Sequence, residues 1–151
     1  DQVQDPRNLG ALLRTAEAFG VHGVVVPKHH SVGLTEAVAR AAMGAVEHIA
    51  VARETNLVNA LETLKKSGIW IFGGVPSGGV APWSADLSGP SCLVLGSEGE
   101  GLRPLVERAC DILVTIPMSG RIGSLSVSAA GAALCYEVLR QRGKIEKLVD
   151  L

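Results

Sequence analysis

Aromatic residues are scarce: two Trp, two Phe and one Tyr make up 3% of the 151 residues. That excludes the stacking platforms with which single-strand-binding proteins hold bases. An excess of positive charge is missing too. Fourteen Lys and Arg against fifteen Asp and Glu leave a net charge of −1. No global field then draws the chain to nucleic acid, and RNA contact falls to a local patch or another domain. The three cysteines, Cys92, Cys110 and Cys135, sit in apolar runs without paired spacing. Such an odd set predicts reduced, buried thiols and a cytoplasmic setting. No apolar run approaches the roughly 18 residues of a membrane span, and no signal peptide is visible.

Several chemical signatures are also lacking. His22, His29, His30 and His48 have no cysteine or carboxylate at ligand spacing, so no metal is expected. There is no G-x-S-x-G nucleophile elbow and no Walker lysine. What remains, at 47% hydrophobic and 19% charged, is one globular domain with a full core. The chain opens at Asp1 without an initiator Met, which reads as a trimmed fragment with a further strand or domain upstream.

Asp5-Pro6 predicts a helix start over about Pro6–Phe19, with Leu9, Leu12, Leu13 and Ala16 as its apolar stripe and Gly20 as its stop. Further helices are expected over Thr35–Met43, Asn56–Ser67 (capped by Thr55), Leu102–Arg108 and Ser124–Arg142. Strands are expected over Val21–Val26, Glu47–Val51, Ile69–Phe72, Cys92–Leu95 (a central one) and Ile112–Ile116. Strands alternating with helices predict an α/β fold, a parallel sheet flanked by helices on both faces.

Four segments stand out. Gly96-Ser-Glu-Gly-Glu-Gly101 follows a strand, where open α/β sheets bind ligands. Its glycine order is wrong for a dinucleotide, and Glu98 and Glu100 suit a cationic or hydroxyl-bearing ligand better than a pyrophosphate. Asn8 and Arg14 share the first helix, about 9 Å apart along its axis and not on one face. Arg14 is expected on or beside the apolar stripe, where it needs an acceptor. Gly73-Gly-Val-Pro-Ser-Gly-Gly79 either walls a pocket or, over Ser77–Gly79, forms a flexible loop. The closing stretch Ile116-Pro-Met…Ser124-Leu-Ser-Val-Ser128 opens a helix with three alternate serines followed by little larger than alanine. Small residues there permit close approach, and free N–H groups invite polar partners.

Asn8…Arg14, Leu93-Val-Leu-Gly-Ser-Glu-Gly99 and Ile116-Pro-Met…Ser124-Leu-Ser-Val-Ser128, in that order, resemble the three motifs of the SPOUT superfamily. The resemblance is nearer to its SpoU/TrmH branch of RNA ribose 2′-O-methyltransferases. Asp5-Pro-Arg-Asn-Leu-Gly-Ala-Leu-Leu-Arg14 and Tyr136-Glu-Val-Leu-Arg-Gln-Arg142 are similar to the members that methylate a guanosine of 23S rRNA. The resemblance implies a catalytic domain over 1–151 with a deep carboxyl-terminal trefoil knot, and an amino-terminal substrate-binding domain absent from this chain. It implies bent S-adenosylmethionine as cofactor, RNA as substrate and a homodimer built partly from the first and last helices. No metal and no membrane enter that picture.

The same resemblance implies catalytic roles for Arg14, Asn8, Glu98 and Ser124. Gly96, Ile116 and Leu125 would line the cofactor largely through backbone, with Gly73, Leu95, Gly99, Met118 and Ser128 beside them. The family usually has Asn where this chain has Ser126. Because a guanidinium is effectively never deprotonated, Arg14 is expected to hold a phosphate or a developing alkoxide, not to act as a base. A tRNA ribose methyltransferase and a catalytically impaired cofactor- or RNA-binding module are the alternatives. A flavodoxin-like nucleotide domain ranks last, lacking the phosphate loop.

Overall fold

A computed structural model of the chain describes residues 1–143, so the last eight positions of the expected 1–151 domain lie outside the described residues. Helix α1 (Pro6–Ala18) begins as Asp5-Pro6 dictates: Asp5 accepts from the Arg7 N–H at 2.8 Å and Pro6 fills the first turn. Strand β1 (Gly23–Pro27) follows, then α2 (Glu36–Ala42) between a Thr35 cap and a left-handed Met43. Ala45–Glu47 form a short 3-10 turn, so β2 is Ala50–Glu54 and not Glu47–Val51. The apolar Val46 and Ile49 belong to the core under α1, which is why they imitate a strand.

Helix α3 (Leu57–Lys66) is capped by Asn56, which accepts from the Asn59 N–H, and not by Thr55. Strand β3 (Trp70–Gly74), β4 (Ser91–Val94), α4 (Pro104–Arg108), β5 (Ile112–Val114) and α5 (Val127–Gln141) complete the order. Helix α5 starts three residues later than Ser124; Ser126 is its cap, accepting from the Ala129 N–H at 3.2 Å.

Every strand pairing is parallel, in two hydrogen-bonded groups: β1 with β2, and β4-β3-β5. Strand β3, not β4, is therefore central. Alternation along it sends Ile71 toward α3 and α4, and Phe72 toward α5, so helices cover both faces. Beside β1 and β2, α1 packs against α2 and α5 around Leu9, Leu13 and Val38. A β-carbon on Gly10 would overlap Ala41 and come within 2.7 Å of the Val38 carbonyl oxygen, so glycine sets the α1–α2 spacing.

The irregular stretch 75–90 is held and not loose. Gln141 of α5 accepts from the Leu87 N–H at 2.7 Å and donates to the carbonyls of Pro82 and Ala85. Gly79, expected in a flexible tip, donates to Thr115 Oγ1 at 3.0 Å, and a β-carbon there would press on the β5 backbone at 2.7 Å. The opening residues are fastened as well. The Asp1 carboxylate takes the Arg103 backbone N–H, Nε and Nη2 at 3.0, 2.9 and 2.8 Å, and the Asp1 backbone nitrogen donates to the Leu95 carbonyl. No described helix is long and apolar enough to cross a membrane.

Candidate functional site

Beyond the carboxyl ends of β3, β4 and β5 lies a cavity of about 310 Å³. Glycine-rich turns make part of its wall and aliphatic side chains the rest. After β4 the chain reverses: the Ser97 and Gly101 backbones exchange N–H···O bonds at 3.0 Å, with Gly99 and Gly101 at φ 91° and 70°. Those angles favour glycine. Gly96 lies against the Gly101 carbonyl so closely that a β-carbon would overlap it.

The other walls come from the backbone between β5 and α5. From Ile116 to Ser126 no N–H donates to another backbone group among the described residues. Those donors are available to a ligand. Leu95, Gly96, Glu98, Gly99, Ile116, Met118, Ser124 and Leu125 all line the cavity.

A second cavity of about 370 Å³ adjoins the first and shares Ser97, Glu98 and Val127 with it. Its own lining adds Gln2, Val3, Gln4, Asp5, Asn8 and Glu100. Asn8 Nδ2 donates to Glu98 Oε1 at 2.9 Å, and Ser128 Oγ donates to Asn8 Oδ1 at 3.1 Å. Three segments far apart in sequence therefore meet where the cavities touch.

Three expectations need correction. Gly73 lines neither cavity; its missing side chain faces Cys110, Leu113 and Leu102, while Gly74 faces the opening. Successive strand residues point to opposite faces, so the wall begins one residue later. Ser128 is turned from the first cavity toward α1, and Val127 lines the wall instead. Arg14 is exposed, off the apolar stripe of Leu9, Leu13 and Ala16, and lines neither cavity. Among the described residues it has no hydrogen-bond or ion-pair partner, and it does not meet Asn8. Val75 and Pro76, in the glycine-rich loop read as a possible pocket wall, also line it; Val114, Ala130 and Leu134 line it too and were not singled out from sequence. Val114 and Ile116, two apart at the end of β5, carried the period-two signal that marks one face.

Among the described residues no group of three His, Cys, Asp or Glu is placed to hold a metal. The three thiols are partly buried, and desolvation pushes each up to about 11. None lines either cavity.

Known proteins are similar to this chain in sequence and in fold. An uncharacterized tRNA/rRNA methyltransferase of Synechocystis is 52% identical over 143 residues, covering 95% of this chain and 37% of that protein. The 23S rRNA (guanosine-2′-O-)-methyltransferase RlmB of Shewanella oneidensis is 46% identical over 142 residues, covering 94% and 58%. The chain thus spans less than two thirds of these relatives. Among solved structures, the SpoU methyltransferase AviRb of Streptomyces viridochromogenes, in complex with the cofactor AdoMet, superposes with a TM-score of 0.85 at 28% identity, covering 93% of this chain and 58% of that one. The A. aeolicus TrmH/SpoU tRNA modifying enzyme gives 0.84 at 28%, covering 94% and 72%. Residues 1–136 match the SpoU rRNA Methylase family, to which this chain belongs.

Proposed function

We propose that the chain is the catalytic domain of an S-adenosylmethionine-dependent RNA methyltransferase that modifies a ribose 2′-hydroxyl, in a guanosine of 23S rRNA. The observation that carries the reading is the pair of cavities with Glu98 in their common wall and Asn8 bonded to it. Two reactants need two adjoining places, one for the methyl donor and one for the acceptor.

The first cavity fits the cofactor. Its volume falls within the roughly 300–1,000 Å³ usual for small-molecule sites, and its aliphatic walls with unspent backbone groups suit a neutral nucleoside. Glu98 at the rim favours a cation and disfavours a phosphate. Leu95, Gly96, Ile116 and Leu125 would hold the group, which supplies an electrophilic methyl on a positively charged sulfur. Asn8 and Glu98 orient the acceptor from the second cavity, and the Ser124 hydroxyl offers a further hydrogen bond at the first. Alignment of this kind supplies about 7–11 kcal/mol in favourable cases.

Arg14 takes part from a neighbouring copy of the chain. It stands on α1 with no partner among the described residues, and α5 beside it leaves Ala129, Ala133 and Tyr136 exposed along one face. A homodimer joined through these helices gives the apolar face cover and brings the guanidinium to a phosphate or a developing alkoxide in the other copy. The 116–126 backbone with α5 is read as the closing part of a trefoil knot. The greater length of the relatives leaves room for a separate RNA-binding domain.

Tritiated methyl transfer by the intact protein to 23S rRNA and tRNA transcripts tests the reading, alongside calorimetry with S-adenosylmethionine. Transfer to rRNA with cofactor binding is the expected result. Transfer to tRNA alone overturns the substrate, binding without transfer leaves a binding module, and absence of binding overturns the whole.

A further inference from the structure

We propose that Ser126 and Ser128 are positioning residues, which set the Asn8–Glu98 pair through a one-way relay of hydrogen bonds from the start of α5. The proposal rests on the methyl-transfer reading above. Direction follows from what each group is able to give. Glu98 is an acceptor, so Asn8 must turn Nδ2 toward it, at 2.9 Å, and Oδ1 away. Oδ1 is an acceptor as well, so the hydroxyl 3.1 Å from it, Ser128, spends its one proton there. The contact of 3.1 Å between the two serine hydroxyls then takes its proton from Ser126. Ser126 in turn accepts the Ala129 N–H at 3.2 Å, which closes the first turn of α5. Each hydroxyl proton in the series is committed, and the order runs one way, from the helix start to the carboxylate.

Two consequences follow. A flip of the Asn8 amide would set its oxygen against the Glu98 carboxylate and reverse the serine pair, so Glu98 fixes the amide's orientation. The remaining Nδ2 hydrogen and the Glu98 Oε2 oxygen have no partner among the described residues, and both side chains line the second cavity. Bonds aligned head to tail also polarise one another in a common sense. The relay joins α1 to residues 90 and 120 positions away, and does so where the two cavities meet. Ser126 has a double task, oxygen to the helix and hydrogen to Ser128. An asparagine there performs both with its amide, whereas alanine performs neither.

The test compares Ser128→Ala, Ser128→Thr, Ser126→Ala and Ser126→Asn in the intact protein, with Asn8→Ala and the double variant Asn8→Ala/Ser128→Ala. For Ser128→Ala the relay predicts kcat roughly tenfold to a hundredfold lower, with KM for S-adenosylmethionine and the melting temperature little changed. Ser128→Thr and Ser126→Asn retain most of the rate. The double variant is no slower than Asn8→Ala alone, since both remove one device. An independent readout is the Asn8 side-chain amide in nitrogen-15 NMR, whose Nδ2 resonances shift and exchange faster in Ser128→Ala. If that resonance is unmoved, or the two losses multiply, the relay is wrong. Should wild-type protein transfer no methyl group while the resonance shifts as described, the relay stands as structure and the methyl-transfer reading is what falls.

Discussion

Gly96 lies so close to the Gly101 carbonyl that one methyl group on its α-carbon would overlap it. The turn from β4 toward α4 is built on that contact, and the first cavity takes its wall from the turn. Gly96→Ala is therefore expected to cost about 1–3 kcal/mol and to weaken S-adenosylmethionine binding at least tenfold. Gly99→Ala provides the comparison. A β-carbon there meets nothing, and only its φ of 91° opposes it, at about 1–2 kcal/mol. Equal loss of ligand affinity in the two variants, by calorimetry, would show that close approach is not what shapes the wall.

The proposed sharing of sites between two copies makes a distinctive prediction. Arg14→Ala and Glu98→Ala chains are each expected to be inactive alone. Mixed and allowed to exchange, they form heterodimers with one complete site, so roughly a quarter of wild-type activity returns. No recovery, with exchange verified by native mass spectrometry, would confine Arg14 to its own chain.

Gln141 is expected to be worth more than its place near the end of α5 suggests. Gln141→Leu leaves the Leu87 N–H and the Ala85 carbonyl without partners and the Pro82 carbonyl with only the Ala85 N–H, at a cost of about 1–3 kcal/mol. Arg140→Ala, which removes only a half-exposed pair with Glu137, costs less than about 1 kcal/mol. Urea denaturation curves of both variants decide it.

The thiols give a pH dependence with a definite sign. Burial holds Cys92, Cys110 and Cys135 protonated up to about 11, against 9.0 unperturbed. Below pH 9 folded and unfolded thiols are both neutral and contribute no slope. Between about 9 and 11 the unfolded chain loses protons that the folded chain keeps, so stability falls as pH rises. A triple Cys→Ala variant is expected to show a flatter decline of melting temperature over that interval. At pH 8 alkylation of the folded protein runs on the order of 100-fold slower than after denaturation.

Asp1→Ala tests the fastening of the opening segment. Its carboxylate is 0% exposed and takes three N–H groups of Arg103. Removal is expected to cost about 1–3 kcal/mol and to open residues 2–4, which line the second cavity, to proteolysis. Unchanged cleavage kinetics would mean that Val3, bonded through its carbonyl to Val32 and Ser31, suffices.

Local chemistry was legible in the sequence wherever one segment settles it. Asp5-Pro6 starts α1, Thr35 caps α2, and the alternating order of strands and helices yields parallel pairing. Glycines and aliphatic residues after β4 and β5 declared the first cavity because strand ends of this fold carry it. What depends on distant partners was hidden. Gly73 and Gly74 are indistinguishable until Leu102, Cys110 and Leu113 are in place. Gln141 resembles any surface glutamine until the loop 54–59 residues earlier comes back to it. The serine pattern of the third motif was visible, but its division into cap, relay and cavity wall required Asn8, 120 residues away from Ser128.

Leu95 packs against the core beneath α1 and also against that beneath α5, and lines the first cavity. No strand ladder crosses between the two hydrogen-bonded groups among the described residues. Cooperativity between the halves thus depends on side chains at the seam and on the α1–α5 contact. Each half is able to open as a separate unit, visible as two classes of amide protection. A molecule seated against Leu95 adds contacts to both, so its binding should merge the two classes into one and raise the unfolding enthalpy measured for a single transition.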